Sequence, residues 1–188
     1  MNEISLQCAC SMVKASVQGF SRGEGNRIVC YCGDCQKFSN QLDELAGTQE
    51  PTSNSCDVLN EAGGTDIIQI PIWKLQFQEG QEQVKFLNLK EGGLQRWYCD
   101  CCKTPIGNTL GKGSPFLGLI HSFVKERQSL DQDFGPVLGN VHTKSALMKP
   151  TTEAHHFKTN KILFRILRKL IWWKLRGLGK PNAFEARL

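Results

Sequence analysis

Nine cysteines in 188 residues fall mostly into three tight groups, and that grouping constrains the chain more than any other feature. The groups are Cys8-Ala9-Cys10, Cys30-Tyr31-Cys32-Gly33-Asp34-Cys35 and Cys99-Asp100-Cys101-Cys102. Cysteine also packs as a small hydrophobe, but buried hydrophobes have no reason to gather at chelate spacing. An odd count does not complete a disulfide framework. No apolar leader follows Met1, so the expected address is the cytosol, where thiols stay reduced. A redox reading of Cys32-x-x-Cys35 lacks the βαβ context it needs. Metal ligation is the reading that remains.

Zinc in a closed site takes four ligands in a tetrahedron. Residues two apart on a strand share a face, so C-x-C can chelate one ion, and C-x-x-C does so around a turn. Cys8 and Cys10 with Cys99 and Cys102 are thus expected to form a structural Cys₄ zinc site. Cys30, Cys32 and Cys35 offer three thiolates from one loop, which is expected to be an open zinc site. Two zinc ions per chain follow, with Cys56 or Cys101 available to close the second. His121, His142, His155 and His156 are at ligand spacing with no cysteine group, so surface or packing roles are expected of them.

The three motifs, in this order, resemble the glutathione-dependent formaldehyde-activating enzyme family, which also includes centromere protein V. That family carries C-x-C, then C-H-C-x-x-C-[RQ], then an aromatic-C-x-x-C-G-T-x-[LI] stretch. The counterparts here are Cys8 to Cys10, Cys30 to Gln36, and Tyr98 to Ile106, with Arg96 ahead of the aromatic. The resemblance covers about residues 6–125. Ser11, Tyr31 and Lys103 stand where the family has glycine, histidine and glycine, and Asn40 where glycine often follows a serine. The resemblance implies a β-tent of antiparallel sheets, the same ligand grouping, and carbon–sulfur lyase activity on thiol adducts such as that of glutathione with formaldehyde. Tyr31 and Asp34, inside the middle loop, are the candidates for moving a proton there.

Periodicity supports a mainly β body. Strands are expected at Met12–Phe20, Arg27–Tyr31, Asp66–Trp73 and Gln95–Tyr98, and a hairpin from Leu75–Gln78 and Val84–Leu89. Pro71 marks an edge or a break. A short helix is expected over Ser39–Ala46. Pro115–Val124 fits strand or helix, and Asp131–Glu153 resists assignment. A zinc-binding domain over 1–125 is followed by an extension, 126–188, packed on the same body.

The clearest helix is Lys161–Arg176. Lys158, Lys161, Arg165, Arg168, Lys169, Lys174, Arg176 and Lys180 put +8 on residues 157–180. Against a net charge of +5, the rest of the chain is therefore acidic. Nothing in that body invites nucleic acid. The helix itself is basic and amphipathic, as at membrane surfaces or against a protein partner. The simplest expectation is that it docks on the β body with its basic face outward.

Overall fold

The computed structural model describes residues 3–48, 56–111, 113–150 and 159–185. Ten strands and three helices follow in chain order: β1 (Glu3–Gln7), β2 (Lys14–Gln18), β3 (Asn26–Cys30), α1 (Gly33–Leu45), β4 (Thr65–Pro71), β5 (Leu75–Glu79), β6 (Val84–Asn88), β7 (Gln95–Cys99), β8 (Pro105–Thr109), β9 (Phe116–Ile120), α2 (Leu130–Asp133), β10 (Asn140–Val141) and α3 (Thr159–Leu175). The architecture is mainly β with a C-terminal helix. A three-stranded antiparallel sheet, β1-β2-β5, packs on a seven-stranded sheet, β10-β3-β4-β9-β8-β7-β6. The larger sheet is antiparallel except at its edge, where β10 runs parallel to β3.

Alternation explains how the sheets meet. Ile4 and Leu6 of β1 and Ala15 and Val17 of β2 are buried. They meet Ile68 and Ile70 of β4, Trp97 of β7 and Leu117 and Leu119 of β9 in one core. Each of the larger aliphatic side chains removed from water contributes about 1.5–3 kcal/mol, which outweighs any local preference and aligns the two sheets.

One expectation changes here. The segments around Glu79–Glu82 form no hairpin: β5 pairs with β2 in the small sheet and β6 with β7 in the large one. The chain switches sheets at Gly80, in a left-handed conformation (φ 71°). A Cβ there would stand 2.1 Å from the Met12 carbonyl oxygen, so only glycine fits. Pro71 ends β4, as a proline without an N–H must. Yet β4 is a central strand, between β3 and β9.

The extension is built into the same body. Val29 donates to the Gly139 carbonyl and Tyr31 to that of Val141. Arg27 grips Asp66 through Nε and Nη2, at 3.1 and 2.7 Å, and reaches Asp131 through Nη1. Phe134 packs on Phe20, with ring centroids 5.3 Å apart. Phe184 is fully buried and stacks on Trp97 at 4.2 Å.

Helix α3 docks on the body, but its basic residues divide: Lys161, Arg168, Lys174 and Arg176 are exposed, as expected, while Arg165 and Lys169 turn inward. Ile162 and Trp173 are buried, with Ile166 partly covered between them. Two basic residues lie on that same inner side. Arg165 Nε donates to Asn26 Oδ1 at 3.2 Å. Lys169 Nζ donates to the carbonyls of Gly23, Glu24 and Gly25. Burial, then repulsion from Arg165, lowers the Lys169 ammonium to about 8. The reason is a turn distant in sequence: the β2–β3 turn offers a fan of carbonyls that need donors, and cations meet that need better than apolar side chains. No described helix is long and apolar enough to cross a membrane.

Candidate metal centre

Two groups of thiols could each hold a metal ion. Within each, all sulfurs lie within 4.8 Å of one another.

The first group joins the two sheets. Cys8 and Cys10 lie in the β1–β2 connection, and Cys101 and Cys102 in the turn from β7 to β8. Sulfur separations are 3.5 Å for Cys8–Cys10, 3.2 Å for Cys10–Cys101 and 3.9 Å for Cys8–Cys101. Both loops are tied by backbone bonds. Cys8 N–H donates to the Val13 carbonyl at 3.0 Å, and Lys103 N–H to that of Cys99 at 2.7 Å. Thr104 bridges them, its Oγ1 accepting from Ala9 N–H at 3.0 Å and lying 3.1 Å from Cys102 Sγ.

One member of this group differs from the expected set. Cys101 stands among the four, whereas Cys99 is fully buried in the core. Cys99 closes strand β7 opposite Val84, with its side chain turned into the space between the sheets. Its thiol is raised by burial and, next, by the charge of Cys8 beside it. In C-x-C-C the spacing alone cannot choose between the first and second cysteine; the side on which β7 ends makes the choice. Cys101 lies with this group and not with the other.

Burial opposes ionisation of Cys102. Thr104 Oγ1 and the backbone N–H groups of Cys10 and Thr104 outweigh it and bring this thiol down to about 6.

The second group sits where β3 runs into α1. Cys30 ends β3, Cys32 occupies the cap position of α1 and Cys35 completes its first turn. The expected helix thus starts at Gly33 rather than Ser39, because C-x-x-C is itself the first helical turn. The Cys32 carbonyl accepts from Cys35 N–H at 3.0 Å, and the two sulfurs are 3.4 Å apart. Hydrogen bonds from Cys30 and then Cys35 hold the Cys32 thiol far below its ordinary value. Cys30 is raised in return, first by its bond to Cys32. The helix N-terminus favours that negative charge, and so does the charge of Arg96 on Cys32. Arg96 is buried, with Nη1 donating to Asn108 Oδ1 at 3.3 Å and its guanidinium 5.5 Å from the Phe38 ring.

No fourth cysteine, histidine or carboxylate joins this trio among the described residues. Cys56 packs with Phe38, Leu42, Val58 and Tyr98 in a separate apolar cluster. His121 Nε2 is 3.8 Å from Asp57 Oδ1, and His142 adopts a left-handed backbone (φ 57°). His155 and His156 lie outside the described residues. Tyr31 is fully buried, its hydroxyl 3.5 Å from Asn60 Nδ2. Its ring fills the space over Gly64, where a Cβ would come within 2.5 Å. Asp34 lies in the first turn of α1 and pairs with Lys90 at 3.4 Å. Sequence reasoning did not find Ile162 of α3, which packs with Cys30, Cys35 and Val141. Only a three-dimensional arrangement joins residues so far apart, and no local signal marks it.

No curated protein matches the chain. A structural-genomics crystal structure of a Rhodobacter sphaeroides protein is similar at 14% identity and a TM-score of 0.48, over 73% of this chain and 100% of that one. Residues 1–185 match a family described as a family of unknown function, DUF6151, and it is to that family that the chain belongs.

Proposed function

We propose that the chain binds two zinc ions, one structural and one open to a thiol ligand, and that it acts on thiol adducts as a carbon–sulfur lyase. The carrying observation is the contrast between the two groups: four thiols in one, three in the other, with no fourth protein donor among the described residues. A closed set suits structural zinc, and three ligands leave the position that catalytic zinc keeps. The donors suit zinc, since all are thiols and at least one in each group is held towards the thiolate.

An open zinc supplies Lewis acidity and lowers the pKa of a bound thiol. The protein's own contribution is electrostatic. The start of α1 and the buried Arg96 offset the negative charge that three thiolates gather. Ile162 and Ile166 cover one side of the trio with hydrocarbon and keep water from it.

The resemblance to glutathione-dependent formaldehyde-activating enzymes, with their β-tent organised by zinc, is supported by backbone conformation. Ser11 and Lys103 replace the family's glycines, and both adopt left-handed conformations, φ 65° and 58°. That is what glycine does at such positions, while other residues stay there only when held. Lys103 is held by Asp100, which accepts from Nζ through its backbone carbonyl at 2.6 Å and through Oδ1 at 2.7 Å. Glutathione and its aldehyde adducts are the substrate class this reading selects.

A second reading, a zinc-stabilised module that holds a thiol without turnover, draws on Tyr31 and Asp34. Both have structural partners, the one inside the core and the other in an ion pair. One experiment addresses both readings. Zinc-loaded protein is titrated with glutathione by calorimetry, alongside Cys32→Ser. The wild type should bind and the variant should not, while the variant keeps its cooperative melt. Equal binding by both would overturn the assignment of the trio. Release of formaldehyde from the glutathione adduct then separates lyase from binding module.

A further inference from the structure

Helix α3 turns an apolar stripe to solvent. Phe164, Leu167, Ile171 and Leu175 are 67, 54, 51 and 82% exposed. At 100° per residue they fall within one narrow outer sector, opposite Ile162, Ile166 and Trp173. Cations flank the stripe on both sides: Lys174 on one, Lys161 and Arg168 on the other, all exposed. Trp172 is half exposed and carries the Arg176 guanidinium 4.2 Å from its ring. The helix contains no acidic residue.

Two shallow clefts follow the Arg168 flank. One is lined by Lys161, Phe164, Arg165 and Arg168, the other by Arg168, Lys169, Trp172 and Trp173 together with Gly23 and Glu24. Arg168 stands between them.

We propose that α3 is a membrane-surface anchor. It lies in the plane of an anionic bilayer, with the Phe164–Leu175 stripe among acyl chains and Lys161, Arg168 and Lys174 at headgroup phosphates. Charge complementarity selects this occupant. Packing two copies stripe to stripe would bring the cationic flanks of both helices together with no acid between them. An anionic lipid surface satisfies the stripe and both flanks at once. Trp172, half exposed just beyond the Arg168 flank, suits the headgroup level. The inward bonds of Arg165 and Lys169 fix the helix on the body, so the stripe is presented without unfolding. This inference is independent of the thiol chemistry.

The test is sedimentation of the intact, metal-loaded protein with vesicles of phosphatidylcholine alone or mixed with phosphatidylglycerol. Binding to the anionic vesicles should be at least ~10-fold tighter and should fall as salt rises. Leu167→Asp with Ile171→Asp alters only outward side chains, so the melt should be kept while vesicle binding drops by at least ~10-fold. Arg168→Glu with Lys174→Glu should abolish the preference for anionic lipid. No binding to anionic vesicles, equal binding to both kinds, or wild-type binding by the aspartate variant would overturn the proposal. So would a wild-type dimer that the aspartate variant disperses, since a second copy would then be the occupant.

Discussion

Replacing Cys8 or Cys101 with serine should cost the chain its cooperative fold at ambient temperature, whereas Cys99→Ser should leave a metal-binding protein. Structural zinc in small thiolate sites supplies about 10–16 kcal/mol of apparent binding energy at neutral pH, and in such sites that energy is folding energy. Whole domains are stable by only about 5–15 kcal/mol, so loss of the ion is on the scale of the total. Cys8 and Cys101 each belong to the four-thiol group, one from each sheet. Cys99 is packed in the core, where a serine hydroxyl without a partner costs about 1–3 kcal/mol. Metal analysis and thermal melts of the three variants decide the matter. If Cys99→Ser loses the ion and Cys101→Ser keeps it, the ligand set is the one with Cys99, and the turn after β7 rearranges on binding.

Trp97→Ala should cost about 3–5 kcal/mol, the range for deleting a large buried aromatic. Trp97 is fully buried and central to the core between the sheets. It stacks on Phe184 at 4.2 Å and 25°, meets Phe86 at 4.9 Å, and donates from Nε1 to Thr109 Oγ1 at 2.9 Å. The substitution opens a cavity and removes one of the two bonds of the Thr109 hydroxyl, which still donates to Gln95 Oε1 at 3.1 Å. Phe184→Ala should reach a similar size, because Phe184 also meets Phe77 edge-on at 5.5 Å. Urea titrations at fixed zinc concentration measure both. A cost below about 1 kcal/mol for Phe184→Ala, typical of surface positions, would remove the C-terminal segment from the core.

What could be read from the chain and what could not divide along physical lines. The strand at Gln95–Tyr98, the strand at Asp66 and the long C-terminal helix were legible because their patterns are local. Strand β1 was not anticipated: Glu3–Gln7 is short and precedes the first cysteine pair without a turn signal. The supposed hairpin at Glu79–Glu82 has hairpin chemistry, but Gly80 sits against Met12, a contact 68 residues away in sequence that no local window contains. The inward turn of Arg165 and Lys169 escaped for a related reason. A helical wheel weighs hydrophobicity, and the carbonyls of Gly23 to Gly25 that draw Lys169 inward belong to a turn elsewhere in the chain. At the cysteines, chelate spacing identified both groups, and only the exchange of Cys99 for Cys101 needed the strand register.

The four-thiol group also sets a clock on biosynthesis. Cys10 and Cys101 are 91 residues apart. At about 5–20 residues per second, the ribosome takes on the order of 5–18 s to deliver the second pair after the first. Throughout that interval Cys8 and Cys10 are an orphan chelating pair, open to oxidants and to stray metal ions. The larger sheet must wait as well, since β4 needs β9 from beyond Cys101 before its second edge is paired. Completion of this protein is therefore a late, nearly simultaneous event, in which sheet closure and assembly of the cysteine quartet fall within the same few seconds of translation.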